Sequence, residues 1–237
     1  MNGKRIVAIG AHPDDIEFGC GAFLLDAVDK GALVTLVALS KGEAGTQGDG
    51  STREVEAQYA ATLLGATLHF VDAGGDTGIR ANLDTTLTLA KEIRRLKPDI
   101  LLAPTGHLNQ HPDHREANVL VRDAHRLARY GKTPGLEDQA PHTAQLLLFY
   151  EISSGGNEGD GLNSILVDVS SHVDRWKELM QCHASQVKNM DYIDLQLSRA
   201  RVYGIQVGVH SAQRLFSESP LLAGSSEDLS NFKSQRF

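Results

Sequence analysis

The sequence predicts an α/β fold, a Rossmann-like three-layer sandwich with a mostly parallel central sheet. Three observations point to it. Short apolar runs rich in β-branched residues alternate with stretches of helical periodicity, glycines punctuate the joins, and polar clusters follow the first and fourth of the apolar runs. The first run, Arg5 to Gly10, reads as a buried strand, and His12 to Asp15 follow in the turn at its end. Ile16 to Lys30 is helical, with Phe23, Leu24, Ala27 and Val28 recurring on one face and Gly31 ending it. Leu33 to Leu39 is the second strand. A glycine-rich loop from Gly42 to Gly50 precedes a helix from Thr52 to about Leu64, which Gly65 closes. Thr67 to Val71 is a third strand, Leu83 to Leu96 a helix, and Asp99 to Pro104 a fourth strand whose following loop delivers His111 to His114.

Beyond that point the signals thin out. Tyr130 to His142 reads as a surface excursion, a lid or a subunit contact. Leu146 to Tyr150 and Ser164 to Val169 read as later strands separated by a glycine-rich loop from Ser153 to Asn163. Helices are expected over Val173 to Ser185 and Tyr192 to Val202. Residues 1–237 read as one domain, with 225–237 a loosely held polar tail.

The chemistry lies in the two clusters, Ala11-His12-Pro13-Asp14-Asp15 and His111-Pro112-Asp113-His114. Open parallel sheets bind ligands at the carboxyl ends of their strands, so two such loops can meet there. Imidazole and carboxylate suit a divalent metal, and a catalytic zinc uses three protein ligands with one position open for water. The clusters carry more groups than three, which leaves acid and base side chains to spare. The competing reading is a turn and helix start, since Asp caps helices and Pro fits their first position. Singly, either cluster fits that reading as well as a site; their joint placement after buried strands favours a site.

Composition bounds the function. The formal net charge of −7 leaves no general basic surface for nucleic acid or an anionic membrane, and an acidic partner would be met by local groups such as Arg53 or Arg80. Two distant cysteines, Cys20 and Cys182, make no disulfide scaffold and read as small buried hydrophobes, which fits a reducing cytoplasm. The first residues run straight into a strand and no apolar stretch is long enough to span a membrane, so the chain is expected to be cytoplasmic. The loop from Gly42 to Gly50 lacks the Gly-Lys-Ser/Thr ending of a phosphate loop and reads as a mobile active-site loop. His69, His125, His142, His172 and His183 are expected to be satisfied or solvent-facing rather than site groups.

The two clusters, extended to Ile16 and Glu17, make the chain resemble the PIG-L/LmbE-like family of zinc-dependent N-acetylglucosaminyl deacetylases. The similarity continues through Ser40-Lys41-Gly42-Glu43, Thr52-Arg53-Glu54-Val55-Glu56-Ala57, Lys97-Pro98-Asp99 and Arg199-Ala200-Arg201-Val202-Tyr203-Gly204, and covers nearly the whole chain. It is nearest the branch that deacetylates N-acetylglucosaminyl-malate in bacillithiol synthesis. Carried over by position, the resemblance implies Zn2+ held by His12, Asp15 and His114, with Fe2+ or another divalent ion fitting the same ligands. It implies Asp14 as general base, His111 as the group that polarises the carbonyl and steadies the oxyanion, Asp113 as an orienting residue and Arg53 as a substrate contact. It implies a small N-acetylated sugar as substrate and a homo-oligomer, commonly a hexamer. Zinc lowers the pKa of bound water from 15.7 to about 7, so amide hydrolysis needs no nucleophilic side chain.

Two departures bear on the substrate pocket. The branch tends to carry a Tyr-x-Glu-x-Phe-like segment where this chain has Gly208-Val209-His210-Ser211-Ala212-Gln213-Arg214-Leu215, and its usual Pro before the aspartate after the third strand is Gly75, preceding Asp76. The alternatives are another N-acyl sugar or small amide as substrate and, more remotely, a non-catalytic Rossmann-like module that binds a sugar or nucleotide.

Overall fold

Ile6 and Ala8 of the first strand enter one hydrophobic core and Val7 and Ile9 enter another, which is why that strand is apolar along its length. A strand covered on both faces has no solvated side to carry polar residues. The computed structural model describes residues 1–107, 111–153, 161–188, 191–223, 225 and 227. The chain runs through β1 (Arg5–Gly10), α1 (Asp15–Asp29), β2 (Leu33–Ala38), α2 (Gly50–Leu64), β3 (Thr67–Phe70), α3 (Leu83–Leu96), β4 (Ile100–Pro104) and α4 (Pro112–Ala128). It continues through β5 (Leu146–Tyr150), β6 (Asn163–Asp168), α5 (Val173–Gln181), α6 (Ala184–Val187), α7 (Tyr192–Val207) and β7 (Ala212–Ser217). The strands form one sheet in the order β3-β2-β1-β4-β5-β7-β6. The first five are parallel, and β7 lies antiparallel between β5 and β6.

One core holds Leu24, Ala60, Leu64, Trp176 and Ala200 from α1, α2, α5 and α7; the other holds Leu89, Ile93, Leu120 and Val121 from α3 and α4. Helices therefore cover both faces of the sheet, as the alternating pattern predicts. The decisive topological fact is that β1 pairs with β2 on one side and β4 on the other. The chain order reverses between β1 and β4, and in such sheets the crevice beyond the carboxyl ends at the reversal is the binding position. The two clusters, about a hundred residues apart, come from the loops after these neighbouring strands.

Two helical features depart from a simple reading. Helix α1 breaks at Cys20 (φ −143°, ψ 15°), and Gln213 of β7 fills the gap: its Oε1 accepts from the Phe23 amide (2.7 Å) and its Nε2 donates to the Gly19 carbonyl (3.1 Å). The helix expected over Val173 to Ser185 is two helices, because the chain breaks at Cys182 and His183. Helix α4 and strand β7 are additions to the expected elements. The excursion from Tyr130 to His142 is fastened by the buried Arg94 of α3, which donates to the carbonyls of Ala128 (2.9 Å), Tyr130 (2.6 Å), Gln139 (2.7 Å) and Leu136. The glycine-rich loop expected between Ser153 and Asn163 falls outside the described residues over 154–160, as does the expected 225–237 tail apart from 225 and 227. Among the described residues no helix is long and apolar enough to cross a membrane.

Candidate functional site

The turn from β1 into α1 is tight. A Cβ on Gly10 would stand 3.1 Å from the Asp15 Cβ and the His12 carbonyl, so the smallest residue lets the chain fold back on itself here. Asp14 takes a φ of 143°, a conformation L-residues rarely adopt and that carries a backbone cost of about 1–3 kcal/mol. The strained turn presents three adjacent groups: His12, Asp14 and Asp15. Asp15 opens α1, where the helix dipole favours a carboxylate, and its Oδ2 accepts from the His12 amide (2.9 Å).

His114, on the first turn of α4, places Nε2 3.1 Å from Asp15 Oδ1. His12, Asp15 and His114 are all buried, and one donor atom from each lies within 4.8 Å of the others. A second trio, His12, Asp76 and His111, meets the same distance but is more exposed, so it forms the rim around the first.

Charge is concentrated around His12. Its Nε2 lies 3.1 Å from Asp76 and 3.3 Å from Asp113, and its Nδ1 3.6 Å from Asp15. Burial opposes the charged imidazole, but hydrogen bonds to Asp113, Asp15 and Asp76 outweigh it and push the pKa up to about 12. The hydrogen bond from His12 holds Asp76 at about 2. Burial acts to raise Asp15 and Asp113, yet His114 and His12 bring Asp15 well below the usual carboxylate range, and His12 with the Thr77 amide (2.7 Å) brings Asp113 down. Three carboxylates converge on this imidazole, a concentration of negative charge that a divalent cation can meet in place of the ring's proton. His114 Nδ1 and Asp113 Oδ1 are buried with no hydrogen-bond partner among the described residues. Hard and borderline donors, a surplus of negative charge and unmet polar atoms fit a divalent cation at His12, Asp15 and His114.

The remaining groups differ in charge state. The Asp14 carboxyl is raised by burial, lowered by the Arg53 guanidinium and raised again by Asp15, with a net upward shift. The His111 pKa is lowered by burial, then by the neighbouring His12 and His114. As N-cap of α4, its Nδ1 accepts from the Asp113 amide (3.2 Å), so the neutral ring carries its proton on Nε2. Arg53, 5% exposed, donates to Asp14 Oδ1 (3.2 Å), the Gly42 carbonyl (3.0 Å) and the Pro13 carbonyl (3.4 Å). It borders the cleft, with its amino groups on Asp14 and two carbonyls and its Nε without a hydrogen-bond partner among the described residues. Gly42 makes room for that guanidinium: its φ is 67°, and a Cβ there would collide with Arg53 Nη1.

Several neighbours had no sequence motif to reveal them. Glu43 accepts from the amides of Asp76 (2.9 Å) and Lys41 (3.0 Å), while Asp76 accepts from the Ala44 amide (3.0 Å). These bonds tie the glycine-rich loop to the turn after β3. Gly75 there has a φ of 76°, which a proline ring cannot reach. His183, expected to be satisfied or solvent-facing, is fully buried with Nε2 3.5 Å from Glu17. Burial opposes its charge, but Glu17 and then Asp14 raise its pKa. His12, Asp14, Asp15, Arg53, His111 and His114 all line one open cleft of about 600 Å³; Asp113 lies just behind them. Ala44, Gly45 and Thr46 border it, whereas no part of the 130–142 excursion does.

Fold and site together define a Rossmann-like α/β protein with a His/Asp metal-type centre at the sheet's reversal point. The family model described as PIG-L, GlcNAc-PI de-N-acetylase, matches residues 7–125, and the chain belongs to this family. It is similar to the diacetylchitobiose deacetylase of Thermococcus kodakarensis, 30% identical over 160 residues that cover 62% of this chain and 60% of that protein. It is also similar to the 4-oxalmesaconate hydratase of Pseudomonas putida, 30% identical over 145 residues, 56% of each chain. The matches thus span less than two thirds of these relatives. Among solved structures, the conserved protein TT1542 of Thermus thermophilus superposes with a TM-score of 0.82 at 29% identity, covering 92% of this chain and 96% of that one.

Proposed function

We propose that this protein is a metal-dependent deacetylase that hydrolyses the N-acetyl amide of an amino-sugar compound. The observation that carries the reading is the buried His12, Asp15 and His114 centre with an Asp14 carboxylate of raised pKa beside it in the same cleft. Zinc held by those three residues would supply an acidified water and a polarised acetyl carbonyl. Asp14 takes the proton of the attacking water, while Arg53 fixes the angle of its carboxylate. His111, neutral and protonated on Nε2, donates a hydrogen bond to the oxyanion that forms on the acetyl carbon. Asp113 orients this pair by holding His12 with its side chain and His111 with its amide. Asp14 then returns the proton to the departing amine nitrogen, which leaves acetate and a free amino sugar.

The finer substrate has two candidates. The sequence resemblance points to N-acetylglucosaminyl-malate of bacillithiol synthesis, and the Thermococcus relative points to a neutral N-acetylated disaccharide. Another small N-acyl conjugate is the fallback. Hydration of an organic acid, as named for the Pseudomonas putida relative, would draw on the same activated water. The same reading includes a homo-oligomer, a hexamer in the branch resembled, in the cytoplasm where two free buried cysteines stay reduced. The deciding experiment measures free-amine release from N-acetylglucosaminyl-malate, N,N′-diacetylchitobiose and N-acetylglucosamine by zinc-loaded protein, with Asp14→Asn as control. Asp14-dependent release supports the reading; water addition to an unsaturated acid without amine release from any N-acetyl compound overturns it.

A further inference from the structure

At the end of the sheet opposite the catalytic cleft, strands β5 and β7 part. They pair at Tyr150 with Leu215 and at Phe149 with Phe216, and the ladder stops there, although Leu146 and Leu147 of β5 and Ser217 of β7 run on beyond it. The fork between them is a pocket of about 230 Å³, closed on its third side by the end of α4. Leu146 and Leu147 form its apolar side, and Arg122, His125, Arg126 and Arg129 form its polar side. Helix α4 thus carries His114 of the metal-type centre on its first turn and these basic groups toward its last, roughly 18 Å along the axis from His114 to Arg126 at 1.5 Å per residue.

Among the described residues that line this pocket, Glu218 is the one carboxylate, and it is paired with Arg122. Arg122 is fixed further by its Nε, which donates to Asn118 Oδ1 (2.7 Å), and by its guanidinium, which lies 4.4 Å over the Phe149 ring. Arg129 donates to the hydroxyl of its neighbour Tyr130 (3.2 Å), and Arg126 makes no hydrogen bond or ion pair among the described residues. His125 Nε2 is buried and likewise has no hydrogen-bond partner among them. Burial lowers the His125 pKa, a bond to the Ala144 backbone raises it, and Arg129, His142 and Arg126 lower it again, the mark of positive charge left uncompensated. The ordinary reason for arginines here is the helix end, where cations offset the dipole. The last carbonyls of α4 are met by other groups, however: Ala128 by Arg94 (2.9 Å) and the His142 amide (3.0 Å), and Leu127 by the Thr133 hydroxyl (3.2 Å) and the Tyr130 amide (3.2 Å).

We infer that the fork between β5 and β7 binds a phosphoryl group, free or carried on a small organic molecule, between Arg126 and Arg129 with Arg122 as the fixed rear wall. Guanidinium forks match phosphate oxygens in pairs, and two arginines without a carboxylate partner balance a dianion. The volume beside Leu146 and Leu147 accepts the organic half. The test is calorimetric titration of the zinc-loaded protein with inorganic phosphate, glycerol 3-phosphate and, as the uncharged control, glycerol. It is repeated on Arg126→Gln/Arg129→Gln and on Arg126→Lys; both arginines are exposed, so the variants should melt with the parent in the absence of ligand. The phosphoryl probes should bind and glycerol should not, and the double variant should lose at least about tenfold in affinity, the scale of one hydrogen bond to a charged group. Arg126→Lys should fall between the two, because an ammonium keeps the charge and loses the fork. The same probes should raise the melting temperature of the parent more than that of the double variant, since they bind the folded state. Tighter binding of glycerol 3-phosphate than of phosphate assigns the apolar side to the organic half, equal binding assigns the fork to the free ion, and either supports the site. Absence of phosphate binding overturns it. So does binding that is equal in parent and double variant, whose loss on removing zinc would place it at the metal-type centre. Amine release is not part of the readout, so the outcome is independent of the deacetylase reading.

Discussion

Asp14 combines a strained backbone, an upward-shifted carboxyl and one guanidinium partner, so its side chain is held where the fold alone would not put it. Asp14→Asn should keep the bound metal, because the ligand trio is untouched, and lower kcat by about 10²–10⁴, the usual worth of a positioned general base. Metal content by elemental analysis and amine release measured on the same sample check this; full turnover would remove Asp14 from the reaction. Gly42 offers a second test at this scale. A methyl group there collides with the Arg53 guanidinium at a backbone angle unfavourable to alanine, so Gly42→Ala should release Asp14 and lower kcat with metal content unchanged. An unaltered kcat would mean that Arg53 does not steer Asp14. The motif itself announced Asp14, whereas nothing in the sequence tied Gly42 to Arg53, because that contact depends on how α2 lies across the loop after β2.

Helix termini and breaks carry the predictions for single elements. Asp49 caps α2, with its carboxylate accepting from the Thr52 amide (2.7 Å) and the Ser51 hydroxyl (2.8 Å), and these bonds hold its pKa at about 2. A carboxyl whose pKa is depressed on folding adds stability above its unfolded value, near 4, and loses it as pH falls toward the folded value. Asp49→Ala should therefore be less stable than the parent protein at pH 7, with the gap closing as the pH drops from about 4 to about 2. Chemical denaturation across that range tests it, and a gap independent of pH would show that the cap is not the cause. Gln213 serves the break in α1, and Gln213→Ala leaves the Phe23 amide and the Gly19 carbonyl buried without partners. The expected loss is about 1–3 kcal/mol for each group left unsatisfied. A smaller loss in denaturant titration would imply that α1 closes its own gap. Strands β1 to β5 and helices α1 to α3 were legible as elements because each carries its own periodicity and stop signal. Helix α4 was hidden by its charged sequence, and β7 by the polar Gln213 and Arg214 within it, whose partners belong to other elements.

The whole molecule separates its stability from its chemistry. Two apolar cores on opposite faces of the sheet hold the layers together, and the histidine and aspartate groups of the site sit beyond the strand ends. Removing metal with a chelator should therefore abolish amine release, leave the far-ultraviolet dichroism unchanged, and lower the melting temperature by an amount that zinc restores. The size of that shift follows the free zinc concentration, because a ligand that binds only the folded state stabilises it by mass action. Global unfolding on chelation would show that the centre is structural rather than catalytic.

The sequence by itself determined the layered α/β class, the strands that carry the two clusters, and the donor types in them, because strand runs, caps and ligand chemistry are local properties of the chain. Only the tertiary structure decided that β1 and β4 are neighbours, that Asp76 and Glu43 join the rim, that His183 is buried against Glu17, and that Tyr192 faces the cleft. Those outcomes depend on which distant segments pair and on how much water their packing excludes. Burial and neighbouring charge, rather than residue type, then act on the catalytic groups: they raise Asp14 and lower His111.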